Sequence, residues 1–424
     1  MIPNEYAAAL IDPSAFGGDG KRVEQALTWI RHNMPLAVAR PEGFDPFWVV
    51  SRHADILEVE RQGELFHNGD RATIVTPIEL DQKVRNIMGG SPHLVRALVQ
   101  MDNPDHAAYR RLTFPEFLPQ RLGRLEERVR AIARVFIDKM AEHGGSCDFA
   151  QDVAFLYPLH VIMELLGVPE TDEPRMLKLT QELFGSADAE LNRAGSAPED
   201  AATALANLQG TISEFMMYFT DITSDRRAHP RDDLASVIAN GKVFDAPLGV
   251  LEAMSYYIIV ATAGHDTTSS TTAGALWALA ENPEQFKKVK ENPALIPGLV
   301  EESIRWVTPV KHFMRTATAD CELAGQSIKK GDWLMLCYPS GNRDEAVFSD
   351  PFAFNVERSP NKHVAFGYGA HVCLGQHLAR MEMRIFWEEL LPRLHSVQLS
   401  GEPANMDSAF VCGPKRVPIS YSMT

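Results

Sequence analysis

The decapeptide Phe366–Gly375, FGYGAHVCLG, constrains this chain more than any other stretch. It sets one cysteine, Cys373, among Gly367, Gly369 and Gly375, with His371 two residues before the thiol. The sequence that follows, QHLARMEMRIFWEELLPRL, has the apolar spacing of a long amphipathic helix. Glycine frees a backbone for φ > 0 and for close passage by a flat, bulky object. A helix start after Cys373 would set unpaired amides and the positive end of a dipole at the sulfur. Such surroundings lower a thiol pKa and favour the anion.

Four roles compete for Cys373 at this point. A buried structural cysteine is the default for an unpaired thiol. A zinc ligand needs companions at ligand spacing, and His371 is a single, crowded neighbour. A hydrolytic nucleophile needs a base and an orienting group from elsewhere in the chain. A thiolate ligand to haem iron would use the glycines, the helix start and the anion together. The loop alone does not choose among them.

Composition narrows the classes. The 41 basic against 56 acidic side chains give a formal charge of −15, opposite to the basic footprint of a nucleic-acid binder. The five cysteines, Cys147, Cys321, Cys337, Cys373 and Cys412, are odd in number and contain no CxxC pair, so a disulfide framework is not expected. No segment approaches the ~20 apolar residues of a membrane span, and the N-terminal stretch has no signal-peptide pattern. A soluble, cytoplasmic protein is expected.

Length alone, at 424 residues, predicts two or three domains, yet no repeat or flexible linker divides the chain. FWVV at 47–50 reads as a strand. Leu122, Leu125, Val129, Ile132, Phe136 and Met140 recur at helical spacing as one apolar face. Strand patterns return in DWLMLCYP and VPISYSMT. The expectation is a mainly α chain with small β-sheets. Gly185–Asp200 is the most loop-like internal stretch and a candidate lid.

Three further motifs carry chemistry. AGHDTT, Ala263–Thr268, lies inside a helical pattern in which Gly264 precedes six Ser/Thr residues at 267–272. Such side chains bond back to carbonyls and bend or widen a helix. In EESIRW, Glu302 and Arg305 are three apart and share a helix face. In NPDHAAYRR, Asn103 is the expected N-cap, Pro104 falls in the first turn, and His106 and Arg110 face one way.

Together these motifs resemble the cytochrome P450 family, its bacterial terpene-oxidising branch in particular, over essentially the whole chain. FGYGAHVCLG matches the family's FGxGxHxCxG cysteine loop at every fixed position. The resemblance implies one triangular, mainly helical domain over 1–424, against the length prior. It implies haem b on Cys373, with His106, Arg110, Arg315 and His371 at the propionates. Asp266 and Thr267 become the acid–alcohol pair that passes protons to bound dioxygen. Glu302, Arg305 and Arg358 become a buried charge network. Ile259, Thr262, Ala263 and Phe313 are the candidate substrate contacts by family position.

The implied activity is a monooxygenase acting on a small apolar substrate, a monoterpenoid or an aromatic hydrocarbon, with O2. The chain shows no flavin or nicotinamide fingerprint, so electrons are expected from an iron–sulfur ferredoxin and a separate NAD(P)H-dependent reductase. A basic patch of Arg110, Arg111, Lys362, Arg380 and Arg384 on the cysteine side is the expected docking face. A peroxide-driven peroxygenase is the alternative within this chemistry, and the intact Asp266–Thr267 pair argues against it. A haem-based binder or sensor without turnover is the alternative from another class.

Overall fold

FWVV and WLMLC, far apart in sequence, meet as neighbouring strands. The computed structural model describes residues 1–424. Its principal strands are β1 (Leu36–Ala39), β2 (Phe47–Val50), β3 (Phe66–His67), β4 (Ser146–Asp148), β5 (His312–Ala317), β6 (Trp333–Cys337), β7 (Leu394–Leu399), β8 (Pro414–Arg416) and β9 (Pro418–Met423). A five-stranded sheet runs β1-β2-β6-β5-β3. Within it β6 lies parallel to β2, with Leu334 opposite Trp48, and antiparallel to β5, with Leu334 opposite Arg315. A smaller sheet orders β7-β9-β4. The period-2 alternation of strands divides the large sheet's faces. Val49, Trp333 and Met335 enter one apolar cluster with the N-terminal helices, while Val50, Leu334 and Leu336 enter another.

Helices supply most of the mass, as the sequence predicts. Those that build the site are α1 (His53–Arg61), α2 (Asp105–Thr113), α3 (Glu126–Glu142), α4 (Leu156–Leu166), α5 (Glu173–Phe184), α6 (Ala201–Ala228), α7 (Val250–Ala263), α8 (Asp266–Glu281), α9 (Ile296–Val307) and α10 (Gln376–Arg393). The largest apolar cluster lies among α3, α4, α7, α8, α9 and α10. No helix is long and apolar enough to cross a membrane.

Two local expectations fail for clear reasons. The apolar run from Leu122 to Met140 is not one helix. A short helix ends at Leu122, Gly123–Leu125 form a turn, and α3 starts at Glu126. Glycine is a poor helix former, so the chain breaks there. All six apolar side chains still pack on the same core, which is why the periodicity survives the break. Asn103 does not cap α2 either. Its amide reaches Glu64 Oε1 at 3.2 Å, and α2 begins at Asp105 without a side-chain cap.

Gly185–Asp200 contains neither helix nor strand. Its early part is nevertheless tied to β8. Fully buried Asp188 accepts from Lys415 Nζ at 2.8 Å and from the Asp407 and Glu190 amides, both at 2.9 Å. Glu190 takes a further 2.6 Å bond from Arg416.

Candidate active site

The cysteine loop is held from both sides. The Cys373 amide donates to Phe366 O at 2.8 Å, and Arg110 Nη2, from α2, donates to Val372 O at 2.7 Å. Gly367 and Gly369 take φ of +67° and +69°. A β-carbon at Gly369 would lie 2.3 Å from the carbonyl oxygen of Glu60, and one at Gly367 would lie 3.2 Å from Glu60 Oε1. These two glycines therefore answer to the end of α1 as well as to backbone conformation. Gly375 is different: its φ is −86° and no atom lies within 4 Å of an added β-carbon. The chain's own packing does not demand glycine there, so that stretch of loop presents a bare backbone.

Burial pushes the Cys373 thiol up, although the Gly375 and Gln376 amides and the guanidinium groups of Arg110 and Arg380 favour the anion. The helix start is thus present as expected, but desolvation outweighs it. A thiolate there calls for a cation placed directly on the sulfur, as a bound metal provides.

The structure brings His106, Arg110, Arg315 and His371 together beside this loop. The His106 and His371 ring centroids are 3.9 Å apart. Burial, and then the Arg110 guanidinium, pushes His106 down to about 4. Burial, followed by His106, Arg315 and Arg110, pushes His371 down to about 2. Both imidazoles are therefore neutral at pH 7. Nε2 of His106 is buried and finds no partner in the chain. Arg315, 4% exposed on β5, donates to Met314 O at 2.9 Å. Two guanidinium groups and an orphaned imidazole nitrogen converge there, with one carboxyl, Glu60, against Arg315. That donor set fits a dianion, as the paired carboxylates of a haem require.

Sequence reasoning missed one member of the cluster. Glu60, at the end of α1, is buried, and its Oε1 lies 3.6 Å from Arg315 Nη2. Tyr338 Oη donates to the same oxygen at 2.7 Å, while Oε2 has no partner. Burial, against the pull of Arg315 and Tyr338, pushes the Glu60 carboxyl up to about 7. No local motif marks Glu60; only the fold brings it to Arg315.

AGHDTT breaks the long central helix as expected. α7 ends at Ala263 and α8 starts at Asp266, joined through Gly264 and His265. A β-carbon at Gly264 would sit 2.8 Å from Ile162 Cγ1, so glycine lets α4 close on the break. The hydroxyls bond backwards: Thr262 to Ile258 O, Thr267 to Ala263 O, Thr271 to Thr267 O and Thr272 to Thr268 O, each at 2.8 Å. Asp266 is fully buried, and neither carboxylate oxygen has a hydrogen-bond partner. Ile259 and Ala263 are half-buried four residues apart on α7. Thr262 is buried with its proton already given to a carbonyl. Phe313, half-buried on β5, lies edge-on to Tyr338 and Phe410.

Glu302, Arg305 and Arg358 meet in one cluster of hydrogen bonds. Arg305 and Glu302 are both unexposed, and Arg358 Nε reaches Glu302 Oε2 at 3.0 Å. Asn361 adds a 3.1 Å bond to the same oxygen. The docking patch does not survive intact. Arg380 is bound by both oxygens of Glu301, at 2.6 and 3.1 Å. Arg384 is shared by Glu126 and Glu388, at 2.9 and 2.7 Å. Arg111 and Lys362 are exposed and make no ion pair.

Known proteins resemble this chain along its whole length. The family model described as cytochrome P450 matches residues 81–296 and 294–420. The chain is 47% identical to cytochrome P450-terp of a Pseudomonas species, over 99% of this chain and 98% of that protein. It is 32% identical to linalool 8-monooxygenase of Pseudomonas putida, over 88% and 89%. Among solved structures, CYP108D1 of Novosphingobium aromaticivorans superposes with a TM-score of 0.91 at 43% identity, covering all of both chains. A Mycobacterium marinum cytochrome P450 in complex with pseudoionone gives 0.87 at 30% identity, over 99% and 98%. With the loop cysteine, the dianion cluster and the broken helix already in place, these likenesses settle the family: the chain is a cytochrome P450, a haem-dependent monooxygenase.

Proposed function

We propose that this chain, acting as one unit over 1–424, hydroxylates a small apolar substrate, with a monoterpenoid favoured over an aromatic hydrocarbon. The observation that carries the reading is the donor cluster beside Cys373, together with a buried carboxyl and a hydroxyl at the helix break. The substrate class rests on relatives whose names refer to terpene chemistry, linalool 8-monooxygenase among them. Electrons come from an iron–sulfur ferredoxin with its own NAD(P)H-dependent reductase, and the setting is cytoplasmic.

Haem bound here supplies dioxygen activation, which no side chain can perform. Cys373 would hold the iron, and His106, Arg110, Arg315 and His371 would hold the two carboxylates. Glu60 sits behind Arg315 and supports the guanidinium without spending a full negative charge on it. Thr267 gives its proton to Ala263 O, which leaves its oxygen lone pairs as acceptors toward the groove. Asp266 is the adjacent acid, buried and without a hydrogen bond to the chain, and so able to take and release a proton. Ile259, Ala263 and Phe313 offer an apolar wall that orients substrate and excludes water.

Cys373→Ser tests the ligand. The red-shifted absorption band of carbon monoxide on thiolate-ligated ferrous haem disappears in the variant; a retained band overturns the assignment. A spectral binding screen of terpenes against aromatic hydrocarbons tests the substrate class, and tighter binding of the aromatics overturns it.

A further inference from the structure

His265 stands between Gly264 and Asp266, is fully buried, and has no part in the scheme above. Three groups from three elements meet its ring. Nε2 lies 2.8 Å from the carbonyl oxygen of Phe155, just ahead of α4. A carbonyl only accepts, so Nε2 carries a proton. Nδ1 lies 3.2 Å from Thr180 Oγ1, on α5, and 3.5 Å from Asp266 Oδ2. Thr180 is itself fully buried, and its hydroxyl donates to Leu177 O at 2.9 Å.

Counting protons limits what this arrangement can be. Thr180 has one proton, and with Leu177 O as its acceptor it can only accept from His265. Nδ1 is then the donor at this contact, and the same N–H faces Asp266. In the other consistent pattern Nδ1 is bare, Thr180 turns its proton from Leu177 O to Nδ1, and Asp266 loses its nearest donor. One hydroxyl rotation on α5 and one proton on His265 therefore decide together what Asp266 faces. Asp266 has no other polar partner in the chain. α5 is also the helix that leads into Gly185–Asp200.

We infer that His265 is a positioning residue: it orients the Asp266 carboxyl and, through Thr180, ties the proton-delivery break to the helix ahead of the Gly185–Asp200 loop. The inference rests on the reading of Asp266 as the proton-delivering acid.

The test uses the haem-loaded enzyme with its reductant chain. His265→Leu removes all three ring contacts, His265→Asn keeps a donor at the Nδ1 position, and Thr180→Val removes only the hydroxyl. His265→Leu is expected to lower product formed per NAD(P)H at least about fivefold, with the substrate dissociation constant changed less than about twofold. His265→Asn is expected to restore most of that yield, and Thr180→Val to fall between. If the Leu variant does not fold, Thr180→Val alone decides, and wild-type yield in it overturns the proposal. Equal losses in the Leu and Asn variants also overturn it, since the histidine would then serve packing alone.

A second readout is independent of turnover. In the diamagnetic ferrous carbon monoxide form, the 15N resonance of His265 Nδ1 is expected to move in Asp266→Asn and in Thr180→Val. An unmoved resonance in both overturns the proposal. Asp266→Asn separates the two levels. Full product yield in that variant defeats the role of Asp266 itself. A loss there, with wild-type yield in His265→Leu, defeats only the role of His265.

Discussion

Arg305 grips both carboxylate oxygens of Glu302, Nε to Oε2 at 2.8 Å and Nη2 to Oε1 at 2.7 Å, and no part of either residue reaches solvent. The same guanidinium donates to the carbonyls of Asn342 and Pro351, both at 2.9 Å, and of Ala353 at 3.2 Å. One planar fork thus ties α9 to the segment that leads into the cysteine loop. Lysine has neither the planarity nor enough donors to replace it. Arg305→Lys should cost roughly 3–5 kcal/mol, because Glu302 would be left buried and underpaired. Chemical denaturation measures the loss, and haem content per protein should fall with it.

Gly369→Ala should be among the most damaging single-methyl changes in the chain. The left-handed conformation alone costs about 1–2 kcal/mol. The new β-carbon would also strike the Glu60 carbonyl. Gly375→Ala, with ordinary φ and open surroundings, should leave the fold's stability unchanged. Thermal unfolding of the pair separates the two glycine roles.

Glu60 predicts a pH dependence. Its carboxyl is raised on folding, from an ordinary 4.5 to about 7. The native state therefore holds the proton more tightly than the unfolded chain does. The stabilisation is complete below pH 4.5 and is lost as pH rises through 7. Glu60→Gln keeps an acceptor for Tyr338 and cannot ionise. Relative to wild type it should gain on the order of 3 kcal/mol between pH 4.5 and 8. Parallel stability curves for the two proteins would rule this out.

Of the basic residues proposed to face the electron donor, Arg111 and Lys362 are exposed and make no ion pair. Arg111→Glu and Lys362→Glu should each slow ferredoxin-driven reduction several-fold at low ionic strength. The loss should fade as the screening length falls from ~30 Å at 0.01 M salt to ~8 Å at 0.15 M. Stopped-flow reduction at several salt concentrations reads this directly, and substrate binding should not change.

Lys415→Met should loosen Gly185–Asp200. Asp188 would keep its two amide donors but lose its counter-charge. Hydrogen exchange in residues 185–200 should rise, and substrate should bind and leave faster. Exchange in α10 should stay as it was.

What could be read in the sequence was local. The cysteine loop, the Glu302–Arg305 pair and the Ser/Thr-rich break each fit within a dozen residues, where backbone geometry ties spacing to shape. Glu60 and Tyr338 escaped because their contact depends on how α1 meets the end of β6. Arg380 and Arg384 could be seen as charges, but Glu301 and Glu126, which neutralise them, come from α9 and α3. Asn103 misled because a polar residue ahead of a helix can equally bond a neighbouring chain segment. His265 was in view inside AGHDTT, and only its partners on other elements distinguish it from a spacer.

The parallel pairing of β2 with β6 has a consequence for biosynthesis. Trp48 has no partner across that edge until Leu334 has been made. At about 5–20 residues per second, a nascent chain carries the β1–β2 hairpin with one edge open for on the order of tens of seconds. An open, apolar strand edge is a template for pairing with another chain. Yield in a host cell should therefore depend on how well that hairpin is shielded during synthesis, and added chaperone should raise it.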